Sequence, residues 1–131
     1  MNDKMDKILA EISAGELIDK ITILEIKKDK ISDQEKLADV EKELSSLNQT
    51  MKKFIPDEKK IINFKKELKD VNAKLWDVEN GKRAAEKKQD FGEKFISLAR
   101  SVYKLNDKRA SLKLSINKTL GSNIKEVKSH E

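Results

Sequence analysis

Apolar residues recur every three or four positions along most of the chain, which is the spacing of one face of an α-helix. Between Asp90 and Leu120 two such stripes lie side by side. The first contains Phe95, Leu98, Val102, Leu105, Arg109, Leu112 and Ile116, and the second contains Ile96, Ala99, Tyr103, Asn106, Ala110, Lys113 and Asn117. A helix with two adjacent stripes contacts two neighbours, so the pattern predicts a helical bundle.

Three capping boxes predict where helices begin: Ser13 to Glu16, Ser32 to Glu35 and Asp90 to Glu93. Pro56 ends one helix and, in a first-turn position before acidic residues, starts the next. Gly121 predicts a left-handed cap. The expected helices run from about Ala14 to Ile31, from the second box to Pro56, from Pro56 to about Lys88, and from Asp90 to Leu120.

The predicted arrangement is all-α: an elongated antiparallel bundle of about four helices, with a coiled-coil-like hairpin of the two long C-terminal helices. The turn near Gln89 is tight, so residues whose numbers sum to about 180 should face each other across that hairpin. This places Trp76 opposite Tyr103 and Glu79 within reach of Arg100. Helix 1 is apolar over more than half of its circumference, which places it at the centre or in a subunit interface. Because a thin hairpin would not cover so many apolar sides, we expect a homodimer.

Composition sets the outer limits. The chain has 131 residues, enough for a single helical domain over 1–131 with an N-terminal segment (1–12) and a polar tail (122–131). It has no cysteine, and its one histidine is His130, so neither a thiolate nor a multi-histidine metal site is expected, and no cofactor is indicated. No apolar run approaches the roughly 20 residues that cross a bilayer. We expect a cytoplasmic protein without a membrane partner.

The charge is unevenly shared between the two halves. Residues 1–55 carry 10 Lys+Arg against 12 Asp+Glu, whereas residues 56–131 carry 19 against 12. The second half could therefore meet an anionic partner, or the two halves could attract each other within the fold or across a dimer. Solvated lysines on exposed helix faces explain the asymmetry equally well.

Arg109 is the strongest candidate for a functional residue, because a guanidinium on a core stripe costs several kcal/mol to desolvate without a partner. Helix 3 offers no acid at the matching level, so either Glu25 or Asp19 of helix 1 or a bound anion must compensate it. In an anion site, Arg109, Lys113 and Lys20 would hold a carboxylate or phosphate. Asn72 and Asn106 would orient that ligand. The candidate ligand-binding residues are Arg109, Lys113, Asn106, Asn72, Trp76, Tyr103, Glu79, Arg100, Lys20 and Glu25.

Four strings resemble a family of small bacterial proteins known only as a domain of unknown function. They are GELIDKITILEIK (15–27), NAKLWDVE (72–79), ARSVYKLNDKRASLK (99–113) and GSNIKEVKS (121–129). The resemblance covers most of the chain and implies an all-helical cytosolic protein of bacteria, but it does not indicate any particular activity. It also implies that the charged, polar and tryptophan positions of these strings belong together: Lys20, Glu25, Lys27, Trp76, Glu79, Arg100, Asn106, Asp107, Arg109 and Lys113.

Three classes of function follow. The first is a binding module or enzyme for a small anion, held in a polar pocket between helices. The second is a non-catalytic structural or interaction protein that forms a homodimer through coiled-coil-like faces. The third is nucleic-acid binding, which is disfavoured because acids interrupt the basic residues and aromatics are scarce. The lysines concerned are Lys87, Lys88, Lys94, Lys104, Lys108 and Lys118.

Overall fold

The computed structural model describes residues 5–128, and within this range the regular secondary structure is entirely helical, with no strand. The helices are α1 (Ala14–Lys30), α2 (Gln34–Phe54), α3 (Ile62–Lys87) and α4 (Glu93–Leu120), with a short 3-10 helix over Glu58–Lys60. The all-α prediction is confirmed, and so is the hairpin, because α3 and α4 pack against each other along their length. His130 lies outside the described residues.

The helix starts agree only in part with the predicted boxes. Ser13 caps α1 as predicted, since its hydroxyl accepts the backbone N–H of Glu16 at 3.0 Å. For α2 the cap is Asp33 instead of Ser32, and its carboxylate accepts two backbone N–H groups, from Glu35 and Lys36. A carboxylate can accept several hydrogen bonds at a positive helix end, which favours Asp33 over the neighbouring hydroxyl.

Helices 3 and 4 begin later than predicted. Asp57 accepts the N–H of Lys59 and so closes a 3-10 turn after Pro56, and α3 begins only at Ile62. Asp90 likewise accepts the N–H of Gly92, and α4 begins at Glu93. In both cases a short acidic side chain binds the nearby backbone and competes with helix formation.

The two turns around α4 depend on positive φ. Gly121 has a φ of 63°, which confirms the predicted left-handed cap. Gln89 has a φ of 53° and permits the sharp reversal between α3 and α4. The predicted register of the hairpin also agrees with the one contact that tests it, since Gly81 lies against Leu98.

Helix α1 is the middle layer of the molecule. It packs on one side against α2 and on the other against both helices of the hairpin, whereas α2 has its main contacts with α1. Ile18 and Ile21 are fully buried there. The central position predicted for helix 1 is confirmed, and its apolar surface is covered within one chain. The core is formed by residues of all four helices and of the connection between α2 and α3: Leu17, Ile18, Ile21, Leu24, Val40, Leu44, Met51, Ile55, Ile61, Leu68, Val71, Leu112 and Ile116.

No helix in the described part is both long enough and apolar enough to span a membrane.

We predict that Gly15→Ala destabilises the fold, because a Cβ at Gly15 would lie 2.5 Å from the carbonyl oxygen of Lys113 and 2.9 Å from Asn117 Oδ1. Overpacking of this kind costs about 1–3 kcal/mol, which urea denaturation will measure. The control is Gly81→Ala, whose Cβ meets only the Leu98 side chain at 3.3 Å and should be neutral or stabilising. Equal stability of the two variants would contradict the close approach of α1 to α4.

Candidate functional site

The guanidinium of Arg109 is held by Asp19 of α1. Arg109 Nε donates to Asp19 Oδ1 at 2.9 Å and Nη2 donates to Oδ2 at 2.5 Å, so the pair is bidentate. The Asp19 side chain is fully buried and the Arg109 side chain is 30% exposed. The hydrogen bond to Asp19 raises the pKa of Arg109 against the opposing effect of burial. Of the alternatives left open by the sequence, the internal partner is the one formed, and charge compensation requires no bound anion.

Two polar side chains complete the surroundings of Asp19. Asn72 Nδ2 donates to Asp19 Oδ1 at 2.9 Å and lies 3.0 Å from Thr22 Oγ1. Thr22 in turn donates to the backbone carbonyl of Asp19 at 2.7 Å. The amide of Asn72 therefore serves α1, and we find no hydrogen bond between it and Asn106 across the hairpin. This network fixes the register of α1 against α3 and α4.

A second charged cluster lies about one turn nearer the start of α1. Lys113 Nζ is 2.6 Å from Glu16 and 2.7 Å from Glu126, which belongs to the segment after α4. Burial would lower the pKa of Lys113, but the hydrogen bonds to Glu126 and Glu16 raise it overall. Lys113 was predicted as part of the site, whereas Glu126 was not singled out by sequence reasoning.

The predicted contacts of Glu79 and Trp76 are not formed. Glu79 pairs with Lys82 of its own helix at 3.7 Å, and the exposed Arg100 has no ion pair among the residues described. Trp76 is half-buried, but Tyr103 is 57% exposed and lies on a different cleft. The hairpin register is close to that predicted, so the error lies in helix rotation: Arg100 and Tyr103 face outward.

Two further predicted residues lie away from Arg109. Lys20 is exposed and pairs with Glu43 of α2 at 3.4 Å. Glu25 pairs with Lys69 of α3 at 3.6 Å and is not the partner of Arg109. Both are ion pairs of the surface, and such pairs contribute little to stability.

Two open clefts adjoin Arg109 and Asn106. The first, which we call the α1–α3–α4 cleft, has a volume of about 360 Å³. Its wall contains five predicted residues: Asn72, Trp76, Glu79, Asn106 and Arg109. The second, which we call the tail cleft, has a volume of about 940 Å³ between α4 and the tail, and Tyr103, Asn106, Arg109 and Lys113 line it. The structure thus divides the predicted site between two clefts and leaves Lys20, Glu25 and Arg100 outside both.

Arg83 is a residue of the α1–α3–α4 cleft that sequence reasoning missed. It is exposed and forms no ion pair within residues 5–128, whereas Arg109 and Glu79 are both paired. Its position was visible in the sequence, since Trp76, Asn80 and Arg83 follow one another at helical spacing on α3. Arg83 therefore gives this cleft a net positive charge.

Within the described residues, no group of three or more His, Cys, Asp or Glu side chains is placed to hold a metal ion.

A family model described as a family of unknown function (DUF6165) matches residues 8–131. The chain belongs to this family. Comparison with curated proteins gave no match, and comparison with solved structures gave none either. The DUF6165 family carries no activity in its description, so any function must be argued from the geometry of the clefts.

We predict that Arg109→Met destabilises the protein by about 3–5 kcal/mol, because it leaves the fully buried Asp19 carboxylate without its counter-ion. Adding Asp19→Asn in a double variant removes that charge and should recover part of the loss. Thermal and urea unfolding measure both effects. The control is Lys20→Met, which breaks an exposed pair and should change stability by less than about 0.5 kcal/mol. A single variant as stable as the unmodified protein would contradict this assignment.

Proposed function

We propose that the protein binds a small anionic ligand with an apolar or aromatic body in the α1–α3–α4 cleft. The observation that carries the proposal is the charge of the cleft wall. Asp19 neutralises Arg109 and Lys82 neutralises Glu79, so Arg83 is left as the one uncompensated charge among the described lining residues. A carboxylate or phosphate monoester would provide the missing counter-charge.

The remaining wall supports a ligand that is only partly polar. Ile23, Ile26 and Leu75 form an apolar surface, and the half-buried Trp76 lies beside them. Asn80 and Asn106 add amide groups that can donate or accept hydrogen bonds. A few polar groups at an apolar wall are typical of small-molecule sites, and a volume of about 360 Å³ suits a ligand of metabolite size.

The clasp with Asp19 gives Arg109 a different role from the one expected. The ion pair uses Nε and Nη2, and Nη1 has no hydrogen-bond partner among the described residues. Because Asp19 holds the plane of the guanidinium, the outer edge is oriented before any ligand arrives. Arg109 would supply directed donors, and Arg83 would supply the attraction. No bond-making or bond-breaking step is part of this proposal, and the cytoplasm is its expected setting.

Trp76 provides a direct test, because it is the chain's single tryptophan and lines the cleft. Titration with phenyl phosphate and benzoate should change its fluorescence, and inorganic phosphate or acetate should bind more weakly because they lack the apolar body. Arg83→Gln should weaken binding by about tenfold, the value of one charge-assisted hydrogen bond. The matched control is Arg100→Gln, which removes the same charge from an exposed position outside both clefts. Equal loss in both variants, or no fluorescence response to any probe, would reject the site.

A second candidate function is association of two copies through the N-terminal segment. The coverage of α1 within one chain removes the sequence argument for a homodimer. A different observation now favours it: Met5, Ile8, Leu9 and Ile12 are all exposed and have helical spacing. A surface of this kind is covered when a helix forms against a partner, and we propose a second copy as that partner.

Light scattering at micromolar concentration should therefore give a dimeric mass for the unmodified chain. The double variant Ile8→Asp, Leu9→Asp should be monomeric, because two charges would enter the contact. Val127→Asp is the control, since Val127 is also exposed but lies outside the segment. A monomeric mass for the unmodified chain would remove this candidate.

A further inference from the structure

The first turn of α1 is closed by side chains from three parts of the chain. The backbone N–H of Ala14 donates to Ser122 Oγ at 3.0 Å, that of Gly15 to Asn117 Oδ1 at 2.6 Å, and that of Glu16 to Ser13 Oγ at 3.0 Å. A helix N-terminus with bound amides carries a partial positive charge. The side chains of Ser13, Asn117 and Ser122 form a polar cluster around it, which we call the α1 N-terminal pocket.

The carboxylate of Glu126 occupies this pocket. Its Oε1 accepts a short hydrogen bond from the hydroxyl of Ser13, and its Oε2 lies 2.7 Å from Lys113 Nζ. Ser13 is buried and the Lys113 side chain is only 12% exposed, whereas the Glu126 side chain is 35% exposed. Ser13 and Lys113 are thus more deeply buried than the carboxylate they bind, as the residues of a binding site are relative to a bound ligand.

Asn117 supplies a further donor that the fold does not satisfy. The residue is fully buried, its Oδ1 is used by Gly15, and its Nδ2 has no hydrogen-bond partner in the described part of the chain. The amide lies close enough to Glu126 to help lower the pKa of that carboxyl. Burial alone would raise this pKa, and the hydrogen bonds from Lys113 and Ser13 lower it by more. Two donors thus reach the Glu126 carboxylate, the Ser13 hydroxyl and the Lys113 ammonium, and the unpartnered Asn117 amide lies beside them.

Little else holds the tail that delivers Glu126. Residues 121–128 form no helix or strand, and none of them is buried. Besides Ser122, their side-chain contacts are the exposed pairs Asn123 with Glu11 at 2.6 Å and Lys128 with Asp107 at 2.7 Å. Exposed contacts of this kind contribute little. The contacts of Glu126 with Ser13 and Lys113 are therefore the main polar attachment of the tail.

We propose that Ser13, Lys113 and Asn117 form a carboxylate-binding site, which Glu126 fills from within the chain and which a carboxylate of another molecule fills in its place. Glu16 decides the ligand class. Its carboxylate also lies 2.6 Å from Lys113 Nζ, so the site carries a single compensated cation and disfavours a dianion such as phosphate. Displacement of Glu126 would release the tail and open the tail cleft, whose wall includes Glu126 and Lys128.

This inference does not depend on the proposed function, because the two sites use different residues. Its test is chemical rescue of Glu126→Ala, which removes the internal carboxylate and leaves its space open. The variant should unfold at a lower temperature, and acetate should restore the loss at constant ionic strength held with sodium chloride. An occupant on a short tail competes with an effective concentration of about millimolar or more, so acetate should bind the variant more tightly than the unmodified chain. Inorganic phosphate at equal ionic strength should restore less.

The matched control is Glu11→Ala, which removes the tail contact with Asn123 but leaves the site filled, so acetate should not stabilise it. Adding Lys113→Met to Glu126→Ala should abolish the rescue. If that double variant does not fold, the backbone amide signals of Gly15 and Glu16 in Glu126→Ala locate acetate directly. In the unmodified chain, acetate should speed tryptic cleavage after Lys125 by releasing the tail.

Stabilisation of Glu126→Ala by acetate that is no greater than by chloride would overturn the site. So would rescue that survives Lys113→Met, or a stronger effect of phosphate than of acetate. The proposed function would be untouched by these results, because its readout is the fluorescence of Trp76 on the other side of Arg109.

Discussion

The ion pair of Asp19 with Arg109 fixes how α1 lies on the hairpin. A fully buried carboxylate is tolerated only where its charge is compensated and its oxygens are hydrogen-bonded. Here the guanidinium of Arg109 compensates the charge of Asp19, and Asn72 donates a further hydrogen bond to its carboxylate. The helices α1, α3 and α4 therefore meet at the Asp19 side chain. Any rotation or sliding of α1 would break this set of bonds at once. The apolar core has no comparable directionality, because burial alone is satisfied by several registers.

Both clefts are consequences of that fixed register. The α1–α3–α4 cleft lies beyond Arg109 towards the hairpin turn, where Trp76 and Arg83 extend past the cover of α1. The site around Glu126 lies in the other direction, where Gly15 brings the start of α1 against the backbone of α4. Charge is handled differently on the two sides. In the α1–α3–α4 cleft Arg83 has no counter-ion among the described residues, whereas at the other site the carboxylate of Glu126 already compensates Lys113.

The sequence predicted features that depend on one helix or one turn. The four helices, the cap at Ser13, the left-handed Gly121 and the hairpin register all follow from local spacing and local hydrogen bonding. The sequence named Asp19 as one possible partner of Arg109 but did not decide between it, Glu25 and a bound anion, because Asp19 lies 90 positions away and its level on α4 depends on packing. The rotation of each helix about its axis was equally out of reach, which is why Arg100 was expected near Glu79 and Tyr103 opposite Trp76, although both are exposed. Arg83 and Glu126 were missed for a related reason. Arg83 stands out only because Asp19 of α1 neutralises Arg109, and Glu126 only because the tail brings it to Lys113 of α4.

The layered order of the helices has one more consequence. The hydrogen bonds and ion pairs of Asp19 and of the first turn of α1 join α1 to α3, α4 and the tail, whereas α2 packs mainly on α1 through apolar contacts and the exposed pair of Lys20 with Glu43. Buried polar bonds therefore hold α1, α3 and α4 together, whereas α2 is attached mainly by apolar packing. Loss of α2 from this position would therefore expose the apolar face of α1 that it covers, and with it part of the common core.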